Sequence, residues 1–382
     1  MQRGQVHMHQ RLEVAVEYGL FWPFERLFSP YFTATHDWRK VTWLLYTNND
    51  PFSSVPKRSV FCQFVVELGN GFEEVGMLNA LVWTLACLGV VAADIVLSVV
   101  LFSALGVASV FMGFSIDGLD IQLLQAAAQM ASFLMALLWW RYLWPRSFMA
   151  RWQGERPLGG GAGKAWRRIA CVIVIGLALQ VVVGYVTDAV LSLLPEAAAD
   201  YSELVEETGM GDTSYLAVLT TVLGAPFCEE LLVRGIIFEF SLRAFNPQCR
   251  PLWKRRRRAR AQGVAMVPWA APDKRGIAAA IVLQAAIFGF MHMNWVQGCY
   301  AGAAGLVFGW VLVTTGKLRY TILLHFAFNA GSYLMTLLWF VNTPLDVIIT
   351  VAIAGVILVE AMRSLRQACQ QSAASASTAF PH

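Results

Sequence analysis

The chain predicts an all-α, polytopic membrane helix bundle of about eight transmembrane helices, and three observations carry that fold class. The first is composition: 57% of the 382 residues are hydrophobic, only 14% are charged, and mean hydropathy is +0.54. A soluble domain carries roughly 25% charged residues. The second is a set of eight apolar stretches near the roughly 17–25 residues that cross a bilayer as helix. The third is the placement of the cations. Of 29 lysines and arginines, 28 fall in segments that can all lie on one side of a membrane, and the exception is Arg234.

Taken in order, the apolar stretches are 77–104, 121–144, 169–194, 215–240, 276–293, 299–315, 320–340 and 344–362. The connections 105–120, 195–214, 294–298 and 341–343 contain no lysine or arginine. The connection 141–168 contains seven, 241–275 ten, 316–319 two and the tail after Met362 two, with seven more before the first span. By the positive-inside rule both termini are cytoplasmic, and the cell membrane is the expected location. The 195–214 connection is acidic (Glu196, Asp200, Glu203, Glu206, Glu207, Asp212) and reads as an external loop.

Four regions follow: an N-terminal cytoplasmic region, 1–75; N-terminal transmembrane helices, 76–212; a segment bearing chemistry, 213–334; and a last span with a polar tail, 335–382. Residues 1–75 are rich in aromatics, which suits a small folded cap or an amphipathic segment on the headgroups. The first 17 residues hold no apolar core of a secretory signal. The tail from Ser364 is Ala/Ser-rich and reads as disordered. The run Lys254 to Arg258 lies between two spans and reads as a cytoplasmic retention signal rather than a nucleic-acid site. The seven cysteines form no C-x-x-C pair and imply no disulfide framework.

Charge inside an apolar helix is costly and by default marks function. Residues 225–235 read Ala-Pro-Phe-Cys-Glu-Glu-Leu-Leu-Val-Arg-Gly. On a helix Glu230 and Arg234 are i,i+4 neighbours and pair, whereas Glu229 is turned about 100° away and stays free to act as a general base. The alternative is a charge triad that only knits helices. Pro226 and Gly235 favour a local break and close helix approach. A second site is Phe288-Gly-Phe-Met-His292, with Phe288 and His292 on one helical face. A third is His325-Phe-Ala-Phe-Asn329, where an asparagine amide beside a histidine can donate to a developing oxyanion. For each histidine the plain alternative is an interhelical hydrogen bond. Together Glu229, His292 and His325 have the composition of a His2Glu zinc site with an open position for water. They equally suit a metal-free design in which Glu229 and a histidine activate water, so zinc is the one candidate cofactor and none is required.

The order Glu-Glu-x-x-x-Arg, Phe-x-x-x-His, His-x-x-x-Asn over about 213–334 resembles the CPBP family, which includes the type II CAAX prenyl endopeptidases and bacteriocin-processing enzymes. The stretch Gly305 to Gly316 resembles that family's sixth-helix region, and 213–334 corresponds to its protease core. The resemblance implies an intramembrane endopeptidase, glutamic or metallo-type, acting on a lipidated or membrane-anchored protein or peptide. It implies that Glu229 activates water, His292 and His325 position water or metal, Asn329 stabilises the oxyanion, and Glu230, Arg234 and Phe288 support the site. Asparagine in place of a third strong ligand after His325 favours the metal-free form. A non-catalytic member with an immunity or scaffold role is the alternative. A transporter would predict a pseudo-repeated half, which the sequence lacks.

Straight helices do not bring these residues to one depth. At 1.5 Å per residue, Glu229 lies about 18 Å from its cytoplasmic end, His292 about 24 Å and His325 about 8 Å. A hairpin of 276–293 and 299–315 with its turn, Asn294 to Gly298, buried in the membrane would reconcile them. Of the other intramembrane acids, Glu239 pairs with Arg243, Asp188 sits hydrated near an external end, and Asp94 is either a contact to the site or a helix contact. The aromatics Phe227, Phe238, Phe288, Phe290, Phe326 and Phe328 read mostly as lipid-facing.

Overall fold

The structure is a computed structural model that describes residues 77–112, 121–144, 147–150, 162–208, 214–246, 249, 263, 272–338 and 341–377. The expectations for residues 1–75, for the basic run 254–258 and for the last five residues lie outside these. The described helices are α1 (Met77–Met112), α2 (Ile121–Leu143), α3 (Ala162–Ser192), α4 (Pro195–Thr208), α5 (Tyr215–Phe245), α6 (Lys274–Met291), α7 (Trp295–Thr315), α8 (Leu318–Leu334) and α9 (Pro344–Ser377). Among the described residues there is no strand.

Each of the eight apolar stretches is mainly helical over its described residues, but among the described residues six helices meet the length and apolarity of a membrane crossing: α1, α3, α5, α6, α7 and α9. The helix α8 has 17 residues and passes into a short 3-10 turn at Met335–Leu338. Two other expectations change. Within the acidic 195–214 connection, Pro195–Thr208 is not loop but the helix α4, opened by proline at its first position and Glu196 in its first turn. The tail is not disordered from Ser364, since α9 continues to Ser377. Leu365 and Ala368, three apart on one face, are buried, and Leu365 packs with Val172, Ile175 and Tyr320, which gives that face the apolar contact a helix needs.

The bundle has two halves that meet at α5, α7 and α8. In one, α1, α2, α5, α6 and α7 enclose Trp83, Cys87, Val90, Ala136, Leu232, Ile236 and Phe288. In the other, α3, α7, α8 and α9 enclose Val172, Ile175, Phe308, Leu324 and Phe328. Close approach is set by glycine at two crossings. A Cβ on Gly176 of α3 would sit 2.7 Å from the Ala327 Cβ of α8. A Cβ on Gly289 of α6 would overlap the carbonyl of Gly298 on α7. The α6–α7 hairpin is thus packed backbone to backbone at its closed end.

Caps account for the hairpin's ends. Asp273 accepts from the Gly276 N–H at 2.7 Å to start α6, and Asn294 accepts from the Gln297 N–H at 3.0 Å to start α7. Gly316, at φ 64°, closes α7 in the left-handed conformation that glycine adopts without penalty. The link between the two helices is shorter than the expected turn Asn294 to Gly298, since α7 already begins at Trp295; Val296 in its first turn is buried against the protein, while Trp295 and Met293 are exposed.

Helix α5 does not break at Pro226 or Gly235, as the sequence suggests. It stays continuous by widening into π turns at Thr220–Gly224 and Glu230–Ile237. Proline lacks the N–H that an α turn spends, and a π turn around it redistributes the carbonyls. The Ala225 N–H bonds to Thr220 O, five residues back. Continuing that register would take Thr221 O to residue 226, a proline with no N–H to give.

Glu239 pairs with Arg243 at 2.6 Å and also accepts from the backbone N–H groups of Phe148 at 2.9 Å and Met149 at 3.0 Å. It therefore ties the segment after α2 to α5, away from the histidines. Glu239→Leu leaves the Arg243 charge without this partner in a buried place and is expected to cost about 3–5 kcal/mol of stability. A thermal melt of the purified protein in detergent measures it, and a variant melting with the wild type would remove this tie from the account.

Candidate active site

Helix α5 presents its adjacent carboxylates to two environments. Glu230 is fully buried and accepts from Arg234 Nη1 at 2.9 Å, the i,i+4 pair expected from spacing. Its side chain also meets His325 Nδ1 of α8 at 2.9 Å through the same oxygen, Oε1. A carboxylate only accepts, so Nδ1–H of His325 is the donor and its Nε2 is left with a lone pair. That Nε2 faces Glu229 Oε2 at 3.8 Å, too long for a direct hydrogen bond. The Glu229 side chain is 29% exposed, against 0% for Glu230, so the two acids divide as the sequence implies, one tied and one open.

Arg234 is anchored by aromatic faces as well as by charge. Its guanidinium lies 4.3 Å from the centroid of Phe288 and 4.9 Å from that of Phe308. Nε and Nη2 have no hydrogen-bond partner among the described residues, so the two π faces are what solvates that part of the cation. Phe308 also stacks 5.0 Å from His325, and Phe288 stands 6.0 Å from His325 and 5.0 Å from His292. The two rings form the floor beneath both histidines.

His292 ends α6. Its Nδ1 lies 2.8 Å from the carbonyl of Phe288, which only accepts, so Nδ1–H donates and Nε2 again carries the lone pair. Both histidines are thus held in the same tautomer by protein acceptors. Asn329, one turn beyond His325, donates Nδ2–H to Thr221 O at 2.8 Å. This is the carbonyl that Pro226 leaves without a helical donor. The carboxamide has a second N–H, so one donor fixes it and one is spare.

A cavity of about 240 Å³ adjoins these groups. Glu229, His292 and Phe288 line it, with Ala225, Cys228 and Met291 from α5 and α6. Its other wall comes from α1 and α2: Asp94, Ser98, Ala128, Gln129 and Ser132. His325 and Asn329 are not among the lining residues; His325 meets Glu229 and Glu230 from α8, and Asn329, one turn on, meets Thr221. Glu229, Glu230, Arg234, Phe288, His292 and His325 are thus neighbours, with Glu229 and His292 at the open face, while Asn329 is held at Thr221 and off the cavity lining. The depth estimate misleads because it assumes parallel helices ending at a common level, which nothing in a sequence requires. Glu229, His292 and His325 have the donor chemistry of a zinc site, yet among the described residues no three His, Cys, Asp or Glu groups gather to hold a metal ion. No step below is routed through one.

Residues 211–331 match the family model of type II CAAX prenyl endopeptidase Rce1-like proteins. The chain carries an Rce1-like domain. Neither a curated protein nor a solved structure matches the chain. The Rce1-like domain belongs to the CPBP family of CAAX-protease-type intramembrane peptidases, a protease family, and contains every site residue named from the sequence. With six helices among the described residues long and apolar enough to cross a membrane, three of them within the matched domain, the protein is an integral membrane protein.

Sequence reasoning missed Phe308, which looks like any aromatic in an apolar run. It left Asp94 between two roles, and the cavity assigns it to the site wall. It also passed over Gln129 and Ser132, whose signal was legible: two polar residues three apart in an apolar stretch share a helix face. The aromatics divide otherwise than expected, with Phe227 and Phe290 exposed but Phe238, Phe288 and Phe328 buried.

Proposed function

We propose that the protein is an intramembrane endopeptidase in which Glu229 activates water to hydrolyse a peptide bond of a lipidated or membrane-anchored protein. The observation that carries this reading is the division of labour between adjacent acids: Glu230 is wholly buried under Arg234 and His325, while Glu229 remains partly open on a cavity it shares with His292. A base must reach solvent and substrate, and a structural acid must not. A water held between Glu229 and His292 loses its proton to Glu229 as its oxygen attacks the carbonyl carbon. His325, oriented by Glu230, turns its Nε2 lone pair towards Glu229, where it can accept from the carboxyl O–H that forms when Glu229 takes the proton. The spare N–H of Asn329, already fixed by its bond to Thr221, donates to the oxyanion; a preorganised donor needs no reorientation at the moment of reaction. The proton taken by Glu229 then passes to the leaving nitrogen, and the C–N bond breaks.

The cation bias of the connections supports cytoplasmic termini in the cell membrane. The family's name makes a prenylated peptide with a CAAX ending the first substrate to try. The purified protein in nanodiscs, given a farnesylated CAAX-ending peptide, is expected to release the terminal tripeptide. A protein that cleaves neither this peptide nor any membrane peptide that differs between cells with active and inactive Glu229 would end the proposal. Treatment with 1,10-phenanthroline is expected to leave the rate unchanged; a loss restored by added zinc would reverse the metal-free assignment.

A further inference from the structure

The wall of the cavity opposite Glu229 lies outside the Rce1-like domain, on α1 and α2. Two acceptors in it have no partner. Asp94 Oδ1 and Gln129 Oε1 are buried and make no hydrogen bond among the described residues. Both side chains line the cavity, and Ser132 lies alongside the Asp94 carboxylate. Among the described residues no lysine or arginine lines it. Gln129 Oε1 rests against Gly224, where a Cβ would overlap it, so the glycine beside lining residue Ala225 leaves the space this carboxamide occupies.

Buried acceptors are normally paired, so two that the wall's own donors, the Ser98 and Ser132 hydroxyls and the Gln129 amide, leave unmet mark a place for donors brought by a ligand. A peptide drawn to membrane depth has that need in reverse, because each main-chain N–H away from water must find an acceptor. We propose that Asp94 and Gln129 form the substrate-binding wall of this cavity, accepting hydrogen bonds from main-chain N–H groups of the peptide laid against Glu229 and His292. The proposal rests on the peptidase reading above. One charged and one neutral acceptor suit successive amide N–H groups better than a single cation. The surrounding Phe288, Met291 and Ala128 exclude the water that would otherwise satisfy those groups.

The test uses the farnesylated CAAX-ending peptide and the full chain in nanodiscs. Asp94→Leu is expected to raise KM roughly tenfold, the worth of one good hydrogen bond, with kcat little changed. Asp94→Asn keeps an acceptor oxygen and is expected to stay near the wild-type KM. Binding to Glu229→Gln protein, which cannot turn over, is then compared with Glu229→Gln/Asp94→Leu using peptides N-methylated at one position at a time. One N-methyl position is expected to weaken binding to the first protein and not to the second. Asp94→Asn as weak as Asp94→Leu would mean that charge is being read, and would overturn the proposal. A loss confined to kcat, a lower melting temperature with unchanged KM, or N-methyl effects of equal size in both proteins would overturn it too. Failure of the peptide to bind Glu229→Gln protein at all sinks the peptidase reading with it, whereas binding that ignores Asp94 sinks this inference alone.

Discussion

Glu229→Gln is expected to lower kcat by about a thousandfold or more while leaving folding and membrane insertion intact, since a positioned general base is worth roughly 10²–10⁴ and is here asked also to return the proton. The substitution is nearly isosteric and removes no close ion pair: the nearest partner, His325 Nε2, stands 3.8 Å away. The carboxamide fits the same space and can still accept a hydrogen bond from water, but it cannot take a proton. Stability should therefore move by less than about 1 kcal/mol, as for other open positions without a named structural role. The informative control is the residue beside it. Glu230→Gln leaves the buried Arg234 charge without its carboxylate and gives Arg234 and His325 Nδ1 only a neutral oxygen to compete for, so it should lose stability and activity together. Equal cleavage by Glu229→Gln and wild type would leave the open acid without a role.

Arg234→Met is expected to cost about 3–5 kcal/mol of stability, because it strands the fully buried Glu230 carboxylate without its cation. It also takes away the cation between Phe288 and Phe308, a contact worth about 2 kcal/mol when desolvated. The double variant Glu230→Gln/Arg234→Met should recover much of that loss, since replacing a buried pair by neutral groups is often nearly neutral. Its glutamine oxygen can still accept from His325 Nδ1–H. Activity should accordingly return in part, tracking the imidazole rather than the charge. Melting temperature and kcat measured on the single and double variants separate the two effects. A single variant as stable as the wild type would show that the aromatic floor holds Glu230 without the cation.

What could be read from the sequence was what lies on one helix. The pairing of Glu230 with Arg234, the pairing of Glu239 with Arg243, and the freedom of Glu229 all follow from the rotation of an α-helix, and they survive the π turns of α5. Contacts between helices were legible only as a list of polar residues that must go somewhere. Nothing local says that His325 Nδ1 reaches Glu230, or that Phe308 closes over Arg234. Those depend on how α7 and α8 cross α5, which is set by glycine crossings and side-chain volume. Periodicity failed where burial was lent by a neighbour. The polar run after Ser364 looks unstructured alone, yet Leu365 and Ala368 find an apolar partner in α3, and α9 persists.

The meeting of Pro226 and Asn329 makes two motifs a hundred residues apart a single mechanical part. A helix that carries the acidic pair with its proline has an open carbonyl at Thr221, and the carboxamide that closes it belongs to α8. Transplanting the acidic helix by itself into another bundle would carry that gap along. The smallest portable unit of this machinery is a pair of helices.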